Sequence, residues 1–379
     1  MYKIMTPGPV QVAENVRRSR SLECTNPDLD TDFAEFYKET CEKFSGLLGT
    51  ENETLILGGE GILGLEAAIA SLTEPGDRVL VIDNGIFGAG FADFVTMYGG
   101  IPEVYRADYR ETIDVDALAA YLKEHHDYKY ATVVHGDTPS GMLNDVGRIC
   151  PLLKSYGMLT VVDSVSAMFG EELDVDGSQI DLLCGGSQKV ISAPPGLTLI
   201  TMSADAKAAM ENRKVPVASF YANLTTFFHY YEEKWFPYTM PISDIYGLRA
   251  AIDNIEADPD IANRHRVIAE ASRKAVTAAG LKLYQRSGFS NTVTVFEVPE
   301  GTTDTAILET MKTDHNIMIA GSFGCLAGQV IRIGHMGENA RVQKVAEVFE
   351  ALDQTFEKLG VTLTAGMKEV FLDAVDRQK

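Results

Sequence analysis

The sequence predicts an α/β protein in which a mostly parallel sheet is covered by helices and followed by a smaller α+β unit. Three observations predict it. Short apolar runs alternate with helical segments over the first two thirds of the chain. Many of these runs are apolar at consecutive positions, as strands buried on both faces must be. From about Ser243 the pattern changes to long helical stretches with two strand-like runs. Strand–helix alternation is what parallel crossovers require.

Taken in order, strands are predicted at residues 54–57, 78–83, 131–135, 159–163, 182–185 and 197–202, each an apolar run closed by turn-forming or polar residues. Helices are predicted between them at 63–72, 115–123 and 146–156. Beyond Ser243, helices are predicted at 245–255, 261–279, 306–312 and 342–359, and strands at 292–296 and 330–333. Residues 362–379 read as an extra helix of no evident role. The chain divides into an N-terminal segment 1–15, a large unit 16–258 and a small unit 259–379. In open parallel sheets the ligand sits beyond the carboxyl ends of the strands. Gly59-Glu60, residues 84–87, residues 135–138 and Asp163 all fall there.

Composition narrows the function. The chain has 379 residues, 45% hydrophobic and 23% charged, which is ample for two hydrophobic cores. A net charge of −21 repels phosphate backbones and anionic lipid, so neither nucleic acid nor a membrane surface is an expected partner. No apolar run approaches the roughly 18 residues that span a bilayer, and the first residues carry no signal-peptide pattern. The five cysteines, widely spaced and without a C-x-x-C pair, read as reduced thiols. A cytoplasmic enzyme without a bound metal is expected.

The chemistry concentrates in two motifs. Val161-Val162-Asp163-Ser164 places an acid at the end of one apolar run, and Ser187-Gln188-Lys189 places a lysine at the end of another. Ala193-Pro194-Pro195-Gly196 then fixes the backbone direction after the lysine. An amine that forms a Schiff base needs to be held near neutrality, and a pyridine ring used as an electron sink needs an anion at its nitrogen. Lysine plus aspartate is that pair.

Asp163-Ser164-Val165-Ser166, Gly186-Ser187-Gln188-Lys189, Ala193-Pro194-Pro195-Gly196 and Arg332-Ile333-Gly334-His335-Met336-Gly337, all in order, resemble the class V aminotransferases of pyridoxal phosphate fold type I. The branch resembled holds the alanine–glyoxylate and pyridoxamine–pyruvate aminotransferases, and the likeness runs from Thr6-Pro7-Gly8-Pro9 to about Gly337. The resemblance implies a seven-stranded mixed sheet and a pyridoxal 5′-phosphate cofactor. It implies a homodimer, or a tetramer, with the site at the subunit interface. The substrates implied are a small amino donor such as L-alanine and a small 2-oxo acid such as pyruvate or glyoxylate. Lys189 would carry the Schiff base and shuttle the α-proton, and Asp163 would keep the ring nitrogen protonated. Phe87, in Asn84-Gly85-Ile86-Phe87-Gly88, would stack on the ring, and Thr138 would set a hydroxyl beside it. Glu60, Gly61 and Gln188 would surround the phosphate, joined by Thr239 from the neighbouring subunit. Arg332, with its planar guanidinium, would grip the substrate carboxylate, and Gly8 would contact the substrate.

Three departures bear on the substrate. Glu60 takes a position where a serine is common, and a carboxylate about 4 Å from one phosphate charge costs roughly 4 kcal/mol at an effective dielectric of 20. Phe236 stands where some relatives have a tyrosine hydroxyl facing the phosphate. In the pyridoxamine–pyruvate branch, which this chain resembles at Gly59-Glu60, Leu63-Gly64-Leu65-Glu66-Ala67 and Asp137-Thr138-Pro139-Ser140-Gly141, a glutamate replaces phosphate-binding character and unphosphorylated pyridoxamine is a substrate. That makes free pyridoxamine or pyridoxal the alternative to a resident cofactor, with Glu60 accepting from a 5′-hydroxyl. Phe323 replaces a further arginine of that branch, which implies fewer charges on the acid or a more apolar donor. Cysteine desulfurases share the class, and Cys325 on a Gly-rich loop is the residue such a reading needs. Its distance in sequence from Arg332 is short for that family's loop. A non-catalytic role in binding vitamin B6 has no partner module to support it.

Overall fold

The computed structural model describes residues 2–378. Seven strands, β1 (Glu53–Gly58), β2 (Arg78–Asp83), β3 (Ile101–Arg106), β4 (Tyr130–Val134), β5 (Leu159–Asp163), β6 (Leu182–Gly186) and β7 (Leu197–Met202), form one sheet. Their order is β1-β7-β6-β5-β4-β2-β3. All neighbours are parallel except β7, which runs antiparallel to both β1 and β6. The central strands are buried along their whole length, which is why they read as unbroken apolar runs.

Six of these strands match the sequence prediction to within a residue or two at each end. The edge strand β3 escaped it. Every residue of β3 is at least partly exposed, and its sequence mixes Pro102 and Glu103 into the run, which an edge tolerates and a central strand does not. Helices Glu14–Ser19, Thr31–Leu47, Ile86–Met97, Ala204–Glu211 and Tyr230–Glu233 also went unread, the third because glycines 88 and 90 interrupt its apolar pattern.

The first helix after β1, Gly61–Leu72, is apolar nearly all round and lies buried on the sheet. Gly64 allows the close approach: a Cβ there would stand 2.1 Å from the Thr198 hydroxyl on β7. Residues between Val16 and Ile255 build a core on both faces of this sheet.

A second core gathers residues from Ile268 to Val375 together with Met5. Its centre is an antiparallel ribbon of β8 (Val293–Glu297) and β9 (Val330–Gly334), covered by helices Ile261–Ala278, Asp304–His315 and Val342–Lys358. The C-terminal stretch, for which the sequence offers no role, forms helix Met367–Asp376. It buries Met367, Phe371, Ala374 and Val375 in this core, with the Phe371 ring 5.3 Å from Phe349. The N-terminal segment crosses between the cores. Lys3–Ile4 pairs in parallel with Ile317–Met318, and Val10 packs with Val190 and Met336. Among the described residues no helix is long and apolar enough to cross a membrane.

Candidate active site

The strand ends of β1, β4 and β5 and the turn after β6 surround a cavity of about 280 Å³. Lys189 enters it from that turn. Its Nζ donates to the Pro7 carbonyl at 2.7 Å, so the N-terminal segment forms one wall. Gly8 is there for space as well as for backbone shape. Its φ is +104°, and a Cβ would sit 2.5 Å from the Lys189 side chain.

Asp163 closes β5 at 3% exposure, and its Oδ1 accepts the Val165 N–H at 3.0 Å. Burial pushes its carboxyl up to about 7, against the pull of that hydrogen bond. Burial also brings the Lys189 ammonium down to about 8. Arg332 adds to that depression, while Asp163, Glu60 and Asp137 oppose it. At neutral pH a usable share of the amine is therefore free to attack a carbonyl.

Phe87 and Thr138 line the same cavity. The Thr138 carbonyl accepts Nη1 of Arg332 at 3.3 Å, and Arg332 Nε donates to the Gly321 carbonyl at 2.5 Å. Arg332 thus stands at the cavity's edge, on the second core's ribbon, 8% exposed. Its guanidinium carbon lies 5.8 Å from the Phe323 ring, which meets Phe87 edge-on at 6.1 Å.

The opposite end is acidic. Glu60 caps helix Gly61–Leu72: Oε1 accepts the Ile62 N–H at 3.1 Å, and Oε2 accepts Nε2 of Gln188 at 3.1 Å. The Oε1 of Gln188 is buried with no hydrogen-bond partner among the described residues. Gly61 lets the helix come close, since a Cβ would stand 2.9 Å from both Val165 methyls. Phe236 is buried against Phe33, Tyr37 and Tyr230 and brings no hydroxyl to the site.

Lys189, Asp163, Phe87, Thr138, Glu60, Gly61, Gln188 and Gly8 are brought to one cavity, with Arg332 beside it. Thr239 is not. Its hydroxyl donates to Asp28 at 3.0 Å on the exposed surface. Cys325 is exposed on the short turn Gly324–Leu326, outside the cavity wall.

The sequence reading missed Asp137, which is 1% exposed and accepts hydrogen bonds from Phe87 N–H, Ser140 N–H and Ser140 Oγ. The spacing Asp-x-x-Ser before a glycine signals such a turn, but the Phe87 partner is visible only in three dimensions.

A pyridoxal ring fits this arrangement: an amine for its carbonyl, a buried acid for its nitrogen, and an aromatic wall. The far end fits a phosphate less well. Glu60 already occupies the helix N–H and the glutamine amide that a phosphate would use. What that end offers instead is acceptor oxygens.

The model of the family described as aminotransferase class-V matches residues 12–345. An uncharacterized aminotransferase of Methanocaldococcus jannaschii is 34% identical over 88% of this chain and 87% of its own. A pyridoxamine–pyruvate transaminase of Mesorhizobium japonicum is 32% identical over 96% of this chain and 93% of its own. The crystal structure of a ureidoglycine–glyoxylate aminotransferase from Bacillus subtilis superposes with a TM-score of 0.95 at 28% identity, covering 99% of this chain and 98% of that one. The seven-stranded sheet is therefore the pyridoxal phosphate fold type I, and the chain belongs to the class V aminotransferases, whose cofactor is pyridoxal 5′-phosphate.

Proposed function

We propose that this aminotransferase moves an amino group from a small donor such as L-alanine to a small 2-oxo acid, pyruvate or glyoxylate. The observation that carries the reading is the buried Lys189 amine, lowered to about 8 and sharing one cavity with the buried Asp163. Pyridoxal, when bound, supplies an electron sink for the pair left by the departing α-proton. The chain does the rest. Lys189 would anchor the cofactor, and its amine, when free, would take the proton from the substrate α-carbon and return it at another position. Asp163 would face the ring nitrogen and favour a proton there. Phe87 would pack on the ring, Thr138 would set its hydroxyl beside it, and Gly61 and Gln188 would close the far end. Arg332 orients the substrate carboxylate, and Gly8 leaves the swing of Lys189 unobstructed.

The same reading includes a homodimer in which Thr239 of one copy completes the far end of the other's cavity. Ile62, Phe220, Tyr221 and Trp235 support it, being apolar groups left exposed in a single copy. The domain division at 15 and 258 is supported by the two separate cores. A cytoplasmic location is supported by five free cysteines.

A second reading is favoured by Glu60. Its carboxylate and the unpartnered Gln188 oxygen suit a hydroxyl donor, so the amino donor is unphosphorylated pyridoxamine and the vitamer leaves each turnover. Mass analysis of what stays bound to the purified protein, with rates for pyridoxamine against alanine, separates the two. Tightly held phosphorylated cofactor and alanine activity end the pyridoxamine reading. In either case Lys189→Ala is expected to lose about 10³-fold or more in rate, and a variant that still turned over would end both.

A further inference from the structure

Phe87 reaches the cavity from the first turn of helix Ile86–Met97, while Thr138 and the Arg332 anchor belong to the loop after β4. Asp137 hydrogen-bonds these two segments to each other. One oxygen accepts the Phe87 N–H at 3.2 Å, and the other accepts Ser140 N–H at 3.1 Å and Ser140 Oγ at 2.6 Å. The carboxylate serves the free end of a helix it does not belong to, where a negative charge is favoured.

The sequence makes room for it. Gly85 has a φ of 161°, extended backbone that any residue adopts, so strain does not demand glycine there. Space does: a Cβ on Gly85 would stand 2.5 Å from the Asp137 carboxyl carbon. We infer that Asp137 is a positioning residue of this active site: its buried carboxylate locks the turn carrying Phe87 onto the loop that carries Thr138 and receives Arg332. Asp137 thereby couples the seat of the ring to the grip on the substrate acid. It touches neither ring nor substrate and acts through Phe87 and Thr138. The inference rests on the active-site reading above.

Its charge also reaches the reacting amine. The groups acting on Lys189 are Arg332, which disfavours the ammonium, and Asp163, Glu60 and Asp137, which favour it. Removing the Asp137 charge leaves Arg332 with two opponents instead of three. The amine then frees its proton at lower pH, an effect that loss of packing alone would not produce.

The test uses Asp137→Ala, Asp137→Asn and Gly85→Ala. Affinities for pyridoxal 5′-phosphate and for pyridoxal are measured by equilibrium dialysis, melting temperatures are recorded, and the pH dependence of kcat/KM is followed in the alanine–pyruvate and pyridoxamine–pyruvate reactions. Asp137→Ala is expected to weaken binding of the accepted vitamer by about tenfold to a hundredfold, the loss typical of a charge-assisted hydrogen-bond acceptor. Gly85→Ala should reproduce that loss, and combining the two should add less than about twofold, because both break one contact. Asp137→Asn keeps the size and one acceptor for the Phe87 N–H, so part of its binding recovers, but the lysine limb of its pH profile moves below the wild-type position. If Asp137→Ala fails to fold, the asparagine and Gly85→Ala variants decide. An unshifted pH limb in Asp137→Asn, or wild-type binding in Gly85→Ala, overturns the inference. An active Lys189→Ala overturns the active-site reading itself, so the two failures are distinct.

Discussion

Asp163 and Glu171 stand eight positions apart, at 3% and 6% exposure, and burial pushes both carboxyls up to about 7. Their surroundings differ. Asp163 takes the Val165 N–H and otherwise faces the cavity. Glu171 is saturated: Oε1 accepts Ser290 Oγ at 3.0 Å and Asn291 N–H at 2.5 Å, and Oε2 accepts Asn291 Nδ2 at 2.7 Å. It fastens the first unit to residues 290 and 291 of the second. A raised carboxyl reports burial in both places. Function is read from the capacity left open, and only Asp163 has any to give to a ring nitrogen.

The sharpest way to break this comparison is to neutralise both acids. Asp163→Asn keeps the shape and the Val165 hydrogen bond but cannot carry the charge that favours a protonated ring. Its kcat is expected to fall about 10²- to 10⁴-fold. Glu171→Gln, assayed beside it, should stay within about threefold, because its partners are structural. Equal losses in the two variants would show that burial, not the open valence, marks the functional acid.

A smaller effect is expected at the other end of the cavity. Glu60→Ser removes a carboxylate and restores a hydroxyl at the helix N-terminus, where an anion is welcome. Glu60 is largely exposed at the cavity mouth, so water screens much of its repulsion. The preference for the phosphorylated over the free vitamer should rise about tenfold to a hundredfold rather than the thousandfold of an unscreened contact. Competition binding of pyridoxal 5′-phosphate against pyridoxal measures it. An unchanged ratio would mean that Glu60 does not face the substituent in question.

The same contrast explains what the sequence could reveal. Lys189, Asp163 and the six strands behind them were legible because strands buried on both faces write themselves as apolar runs, and their polar ends stand out. The strand Ile101–Arg106 was not, because all its residues are partly exposed and carry no such constraint. Asp137 lies inside a motif that the sequence displays, yet its partner at Phe87 is a backbone N–H, which every residue type has. Glu171 was invisible for a related reason. Its three donors belong to Ser290 and Asn291, more than a hundred positions away, and no local pattern records a contact between units.

Glu171 also gives the smallest measurable effect, in stability. Its carboxyl lies at about 7 in the folded chain and at about 4.3 in an unfolded one. The folded state therefore holds the proton more tightly. The stability this contributes is fully present below about 4.3 and is lost as pH rises through about 7. In protein freed of cofactor, Asp163 slopes the same way, so both acids should lower the melting temperature between pH 5 and pH 8. Glutamine at position 171 keeps an oxygen for the Asn291 and Ser290 donors, and Asn291 can turn its own amide oxygen toward the new NH₂. Removing the titration should then flatten part of the decline, leaving Glu171→Gln level with the wild type near pH 5 and more stable near pH 8. Asp163→Asn should remove the remaining part, and the double variant should be the flattest. Cofactor at the ring seat would erase the Asp163 share alone, since a cationic ring nitrogen favours the charged carboxylate while Glu171 has no such partner. A Glu171→Gln variant that lost the same stability at every pH would mean that its carboxylate is charged throughout and that Arg273, not burial, governs it.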